Sequence, residues 1–249
     1  MEAPTSQKTS ETTAVGGWFK TTHWTVVLEA CRPNPVQADA ALATLCQNYW
    51  LPIYTYVRRR GYGPEDAKDL TQGFFARLLE KQWLRQADPN RGKFRCFLLG
   101  AMNHFLANEW RRSQADRRGG GKTVVSLDDT AEAHYEAEVA SNLTPEKLYE
   151  RRWALSLFER ALEQLEANYV GAGKGTIYDV LNGFLSTEAS NGDYARAGAQ
   201  LGMTPTAITT AVRRLRQRYR ELVREEIVQT VTSPAEVEDE MRSLLAALG

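Results

Sequence analysis

Residues 194–222, YARAGAQLGMTPTAITTAVRRLRQRYREL, constrain this chain more than any other stretch. They predict two helices joined by a tight turn. Tyr194, Ala197 and Leu201 share one face of a short first helix. Gly202 is the residue type that takes φ > 0 cheaply where a helix must stop. Thr204 is a good N-cap, and Pro205 stands at the first helical position, where a missing N–H costs nothing. The second helix carries Ile208, Val212, Leu215, Tyr219 and Leu222, spaced by four, three, four and three. These fall within roughly 80° of arc, a single buried stripe.

The opposite face carries the chemistry. Thr206, Thr209, Thr210, Arg213, Arg216, Gln217 and Arg220 cluster there, flanked by Arg214 and Arg218. Between positions 213 and 224 stand six arginines and one acid, Glu221. Short hydroxyls at the tip of a helix suit base edges, and guanidinium groups behind them suit phosphates. A charge run alone reads as a solvated surface. The cap, the turn residue and the narrow apolar stripe favour a helix-turn-helix instead.

The formal net charge is zero, so nucleic-acid affinity must come from local patches. Arginines cluster at 58–60, 111–118 and 213–224, whereas acids gather at 126–150 and 236–240. The chain has 249 residues, 43% hydrophobic and 25% charged, ordinary for a soluble globular protein of one large or two small domains. Cys31, Cys46 and Cys96 form no CxxC pair, which argues for a reducing compartment and against structural zinc. No secretory signal and no apolar run of membrane-spanning length is seen, so a cytoplasmic protein without a membrane partner is expected.

Two glycine-rich stretches invite a phosphate-loop reading. In GGGKT (119–123) the required first glycine would fall on Asp116, and in GAGKGT (171–176) on Asn168. Neither follows a predicted strand. His23, His104 and His134 are too scattered for a metal set or a triad. No catalytic residue, metal or cofactor is therefore expected, and the chain reads as a non-enzyme.

The pattern is all-α, with two small helical domains joined by a flexible acidic linker. Residues 1–37 form an N-terminal extension with one short helix near 23–30. Residues 38–118 form the first helical domain. Leu42, Leu45, Cys46, Tyr49 and Trp50 share a face up to Pro52, and Ile53, Tyr56 and Val57 continue beyond it. Ala67, Leu70, Phe74 and Leu78 stripe the next helix, with Phe75 at its margin. Phe94, Phe97, Leu98, Ala101, Met102 and Phe105 face inward from the third, which ends in Arg111 and Arg112. Residues 119–144 are the linker; the interval 126–150 holds seven acids and one lysine. The second domain spans 145–230. A tail helix in 231–249 opens with a capping box at 233–236 and turns Val237, Met241, Leu244, Leu245 and Leu248 to one side.

These stretches together resemble the extracytoplasmic-function (ECF) type of the bacterial sigma-70 class. YVRRRGYGPEDAKDLTQGFFARLLEK and DPNRGKFRCFLLGAMNHFLANEWRR are similar to the sigma-2 domain, and residues 194–222 to the sigma-4 helix-turn-helix. The terminal extensions look like a subgroup common in planctomycetes. The resemblance implies a subunit of RNA polymerase holoenzyme that acts in transcription initiation. It implies polymerase docking through Asp69, Gln72 and Phe75. It implies capture of a melted downstream promoter element by Arg95, Phe97, Asn103, His104 and Asn108, with Arg111 and Arg112 behind them. It implies reading of an upstream element by Thr206, Thr209, Thr210, Arg213 and Arg214, with Arg216 and Arg220 on phosphates. Core RNA polymerase and promoter DNA are the implied partners, and an anti-sigma factor or another regulator stays open. The competing reading is a DNA-binding regulator that does not engage polymerase, which would not need the DLTQGFF surface.

Overall fold

The computed structural model describes residues 35–80, 83–88, 92–115, 130–138, 142–186, 190–231 and 233–249. The expected short helix near 23–30 lies outside them. Among the described residues the chain is all-helical. Helix α1 is Pro35–Arg59, α2 Pro64–Glu80 and α3 Phe94–Ala115. Helix α4 is Thr130–Glu138, α5 Pro145–Gly171 and α6 Gly175–Leu181. Helix α7 is Asn191–Leu201, α8 Pro205–Val228 and α9 Val237–Leu248.

Helix α1 runs unbroken across Pro52. Tyr49, Ile53, Tyr56 and Val57 are buried along it. Burial on this scale offsets the backbone bond that proline removes. Arg58 and Arg59 end the helix, where its dipole is negative. Gly61, at φ 96°, makes the turn into α2, which begins with Pro64, Glu65 and Asp66 as the positive helix end prefers. Ala67, Phe74 and Leu78 of α2 then meet Leu98, Met102 and Phe105 of α3 in one apolar cluster. Phe74 and Phe105 pack edge to face at 5.8 Å.

Helix α5 joins the two halves. Thr144 caps it, its hydroxyl accepting from Lys147 N at 3.3 Å, and Pro145 begins it, as the sequence predicts. Leu148, Tyr149, Trp153, Ala154, Leu157, Ala161 and Leu165 are buried on a broad arc. That arc packs against α1 and, further round, against α8 and α9. Tyr149 meets Tyr56 edge-on at 6.3 Å, and its hydroxyl donates to the Arg95 carbonyl at 3.0 Å. Arg160 of α5 pairs with Glu226 of α8 at 3.0 Å. The two units thus share one continuous core.

The acidic stretch between them differs from a featureless linker. Residues 130–138 form α4, whose Ala131 and Tyr135 are buried. Glu132 accepts from Arg58 Nη2 at 2.6 Å and from Nε at 3.0 Å, and Tyr54 donates to the same carboxylate. The Arg58 guanidinium also lies 4.6 Å above the Tyr135 ring. An acid read as linker charge is the docking group of a helix. Positions 119–129 and 139–141 of that stretch lie outside the described residues.

The tail also departs from expectation. Residues Pro234–Glu236 form a 3-10 turn, and Ser233 Oγ accepts from Ala235 N at 3.2 Å. Helix α9 buries Val237, Glu240 and Leu244, while Leu245 is 54% exposed. The buried face is rotated toward Glu240 because two cations, Lys93 and Arg95, wait there.

Two expected outcomes follow from this packing. The Arg58 guanidinium, and then the Tyr54 hydroxyl, hold the Glu132 carboxyl below the usual carboxylate range. A depressed pKa contributes stability that is present above the unfolded value and lost as pH falls through the folded one. Between about pH 6 and about pH 3, wild type should therefore lose more stability than Glu132→Gln in urea titrations. Equal losses would show that the pair contributes nothing. The second concerns Gly198, where a Cβ would stand 2.6 Å from the Met203 carbonyl oxygen. Gly198→Ala should lower the urea midpoint by an amount equivalent to about 1–3 kcal/mol, because this clash outweighs the helix propensity of alanine.

Candidate nucleic-acid interface

The helix-turn-helix is built from α7 and α8. Ser190 precedes α7, and Asp193 accepts from Ser190 N at 3.0 Å and from its hydroxyl at 2.7 Å. Gly202 ends α7 in the left-handed region, at φ 64°. Met203 N donates back to the Gly198 carbonyl at 2.9 Å. Without a side chain at 198 the chain folds directly over its own helix, which sets the angle of the motif. Thr204 then caps α8, its hydroxyl accepting from Ala207 N at 3.3 Å. Ile208, Val212, Leu215 and Leu222 are buried and Tyr219 is half-buried, the stripe that the spacing predicts.

The outward face of α8 separates into three kinds of residue. Thr206, Thr209 and Thr210 are exposed at its start. Thr209 Oγ1 donates to the Pro205 carbonyl at 3.0 Å, and Thr210 Oγ1 to the Thr206 carbonyl at 3.1 Å. Their protons are held by the helix, so they present oxygen lone pairs and methyl groups outward. Arg213, Arg214 and Arg220 are exposed behind them. Arg216 is different, because its Nε and Nη2 donate to the Phe184 carbonyl at 2.9 and 2.6 Å. It ties α8 to the turn after α6, where Phe184 stacks on Tyr194 at 5.4 Å. The sequence placed Arg216 on phosphates; here it braces the scaffold. Arg218 is occupied by Glu221 at 3.3 Å and Glu225 at 3.1 Å.

The residues expected at a downstream element divide also. His104, Asn108 and Arg111 follow one another on an exposed side of α3. Asn108 lies 3.2 Å from His104 Nδ1, and its Oδ1 accepts from Arg111 Nη2 at 2.8 Å. Arg112 is exposed and pairs with Glu109 at 2.9 Å. Asn103 is half-buried and accepts from the Tyr56 hydroxyl at 2.6 Å. Phe97 is half-buried and stacks on Phe94 at 5.9 Å. Arg95 is buried, 5% exposed, beneath Glu240 of α9. Of these, Arg95 is withdrawn from any surface in this arrangement, because a carboxylate 145 positions away in sequence neutralises it. Trp83, absent from the sequence reading, stands at the edge of this face, its ring 6.1 Å from that of His104. Its only signal was a tryptophan in a polar connection between two helices.

On α2, Asp69 is exposed and Gln72 half-buried. Phe75 is buried, stacked on Trp50 at 5.9 Å and edge-on to Phe74 at 5.4 Å. Its margin position on the helix wheel let α1 claim it, so it lies beneath the exposed face of α2 rather than on it. Among the described residues, no group of three or more His, Cys, Asp or Glu side chains is placed to hold a metal ion. Among the same residues, no helix is long and apolar enough to cross a membrane. Burial raises the Cys46 thiol pKa, consistent with packing and not reactivity.

Comparison with known proteins agrees with this construction. Searches of curated proteins and of solved structures found no match. A family model described as ECF sigma factor matches residues 58–225, from the end of α1 into α8. This span takes in the exposed face of α2, the polar side of α3 and the helix-turn-helix, and it is more than half of the chain. The chain belongs to the ECF sigma factor family, whose members are promoter-specificity factors for RNA polymerase in transcription initiation.

Proposed function

We propose that this chain binds core RNA polymerase through the Asp69 and Gln72 face of α2 and reads promoters with two separate surfaces. The upstream element meets α8 end-on, and the melted downstream element meets the polar side of α3. The observation that carries this reading is the sorting of the α8 surface: threonines at the tip, unbraced arginines behind, and a buried stripe beneath. Thr209 and Thr210 offer acceptors and methyl groups, which suits exocyclic base amines and the thymine methyl. Arg213, Arg214 and Arg220 supply phosphate contacts. His104, Asn108 and Arg111, with Trp83 beside them, suit unpaired bases, which stack on aromatic rings and hydrogen-bond along their edges. The domain limits near 38–118 and 145–230 separate these two surfaces, and the cytoplasm, where the polymerase works, is the site of action. The terminal extensions fit the planctomycete-like subgroup that the sequence resembles.

Co-elution with core polymerase tests the docking surface. Asp69→Arg should weaken co-elution while leaving helix content unchanged, since Asp69 is exposed. Unchanged co-elution would leave the regulator reading, which needs no polymerase. Titrations on a randomised element at several salt concentrations test the reading helix. Arg220→Ala should weaken binding to all sequences and reduce the salt slope by roughly one unit. Thr209→Ala should change which sequence is preferred, at a cost on the order of 1–3 kcal/mol for a lost base contact. A uniform loss from Thr209→Ala would contradict the end-on pose.

A further inference from the structure

We propose that the tail helix α9 is a latch that holds the chain in a closed form unable to engage a promoter, with Glu240 as its fastening; the proposal rests on the function proposed above. Glu240 is 1% exposed. One of its oxygens meets Arg95 Nη1 and the other lies 3.4 Å from Nη2. Lys93 Nζ pairs with the same carboxylate. Beneath them the Arg95 guanidinium carbon lies 4.4 Å from the centroid of the Trp153 ring. One carboxylate from α9 thus fastens the start of α3 to α5.

The chemistry of this junction is that of a replaceable contact. Lys93 and Arg95 stand at the entry of the helix to which the downstream DNA is assigned, and Glu240 puts an anion there. A carboxylate and a phosphate oxygen satisfy a guanidinium in the same way. While Glu240 is in place, Arg95 is covered and Lys93 is already paired. Two other fastenings of α9 lie within the second unit. Arg151 Nη1 donates to the Leu248 carbonyl at 2.7 Å, and Arg224 pairs with Glu238 at 2.6 Å. When the units part, α9 leaves with α5 and α8, and its Glu240 contacts break together with the packing of α5 on α1. Helix α9 also lies beyond the span 58–225 that matches the family model, so the latch is an addition to the family body.

The energetics favour a switch over a brace. Drawing the Glu240 carboxylate and the Arg95 guanidinium out of water carries a desolvation cost that their attraction largely offsets, so the cluster adds little net stability. Arg95 Nε is buried without a hydrogen-bond partner among the described residues, which trims the gain further. Removing Glu240 alone strands two cations in the closed form and costs the open form nothing. A ligand of the open form then binds more tightly, in proportion to the population released.

The full chain with Glu240→Lys, which places three cations together, tests this. Solution scattering should show a larger radius of gyration at unchanged helix content. Affinity for core polymerase should rise on the order of tenfold. Glu240→Gln, which keeps the shape and removes the charge, should move both readouts the same way by less, and it carries the test if the lysine variant fails to fold. Unchanged radius and affinity, or expansion without tighter binding, would overturn the latch. If wild type and both variants all fail to bind core polymerase, the proposed function falls, and the latch falls with it.

Discussion

Everything in this molecule hangs on how α5 is shared. An ordinary surface helix buries one stripe. Here Leu148, Tyr149, Trp153, Ala154, Leu157, Ala161 and Leu165 cover a broad arc and serve two partners. Toward α1 the arc is aromatic, with Tyr149 against Tyr56, and Trp153 lies under Arg95 of α3. Toward α8 it is anchored by Arg160 on Glu226 and by the Tyr219 hydroxyl on the Phe158 carbonyl, at 3.0 and 3.3 Å. Helix α8 is therefore fixed through α5 to α1 and the helices packed on it. Displacing α5 from α1 would free the helix-turn-helix from α2 and α3 without dismantling either.

What was legible in the sequence was local. The turn of the helix-turn-helix follows from Gly202, Thr204 and Pro205, each acting within a few residues, and all three perform as expected. The α8 stripe and the inward faces of α2 and α3 follow from helical spacing. What was hidden is long-range. Nothing near Arg95 in the sequence announces Glu240, and nothing near Glu132 announces Arg58. A charged residue reads as solvated until its partner arrives from elsewhere. The burial of Phe75 was hidden for a related reason, since it depends on Trp50 of another helix. Gly198 lay in plain view, but its use is set by the Met203 carbonyl that passes over it.

The charge arrangement links fold and function. The chain is neutral as a whole, yet its cations are not equivalent. Arg58, Arg95, Arg160 and Arg216 are consumed by internal partners and hold helices together. Arg213, Arg214 and Arg220 remain outward on α8. Sorting by partner, rather than by count, distinguishes a gripping residue from a bracing one. The same sorting explains how a protein with no net charge presents a cationic helix surface to solvent.

As proposed above, this chain gives core polymerase a promoter preference that the polymerase lacks alone. Multi-template run-off transcription, with transcript ends sequenced, measures that directly. Core polymerase plus this protein should initiate on a subset of templates that share an upstream element at a fixed distance from the start. No initiation, or the same scattered starts as core polymerase alone, would contradict the account.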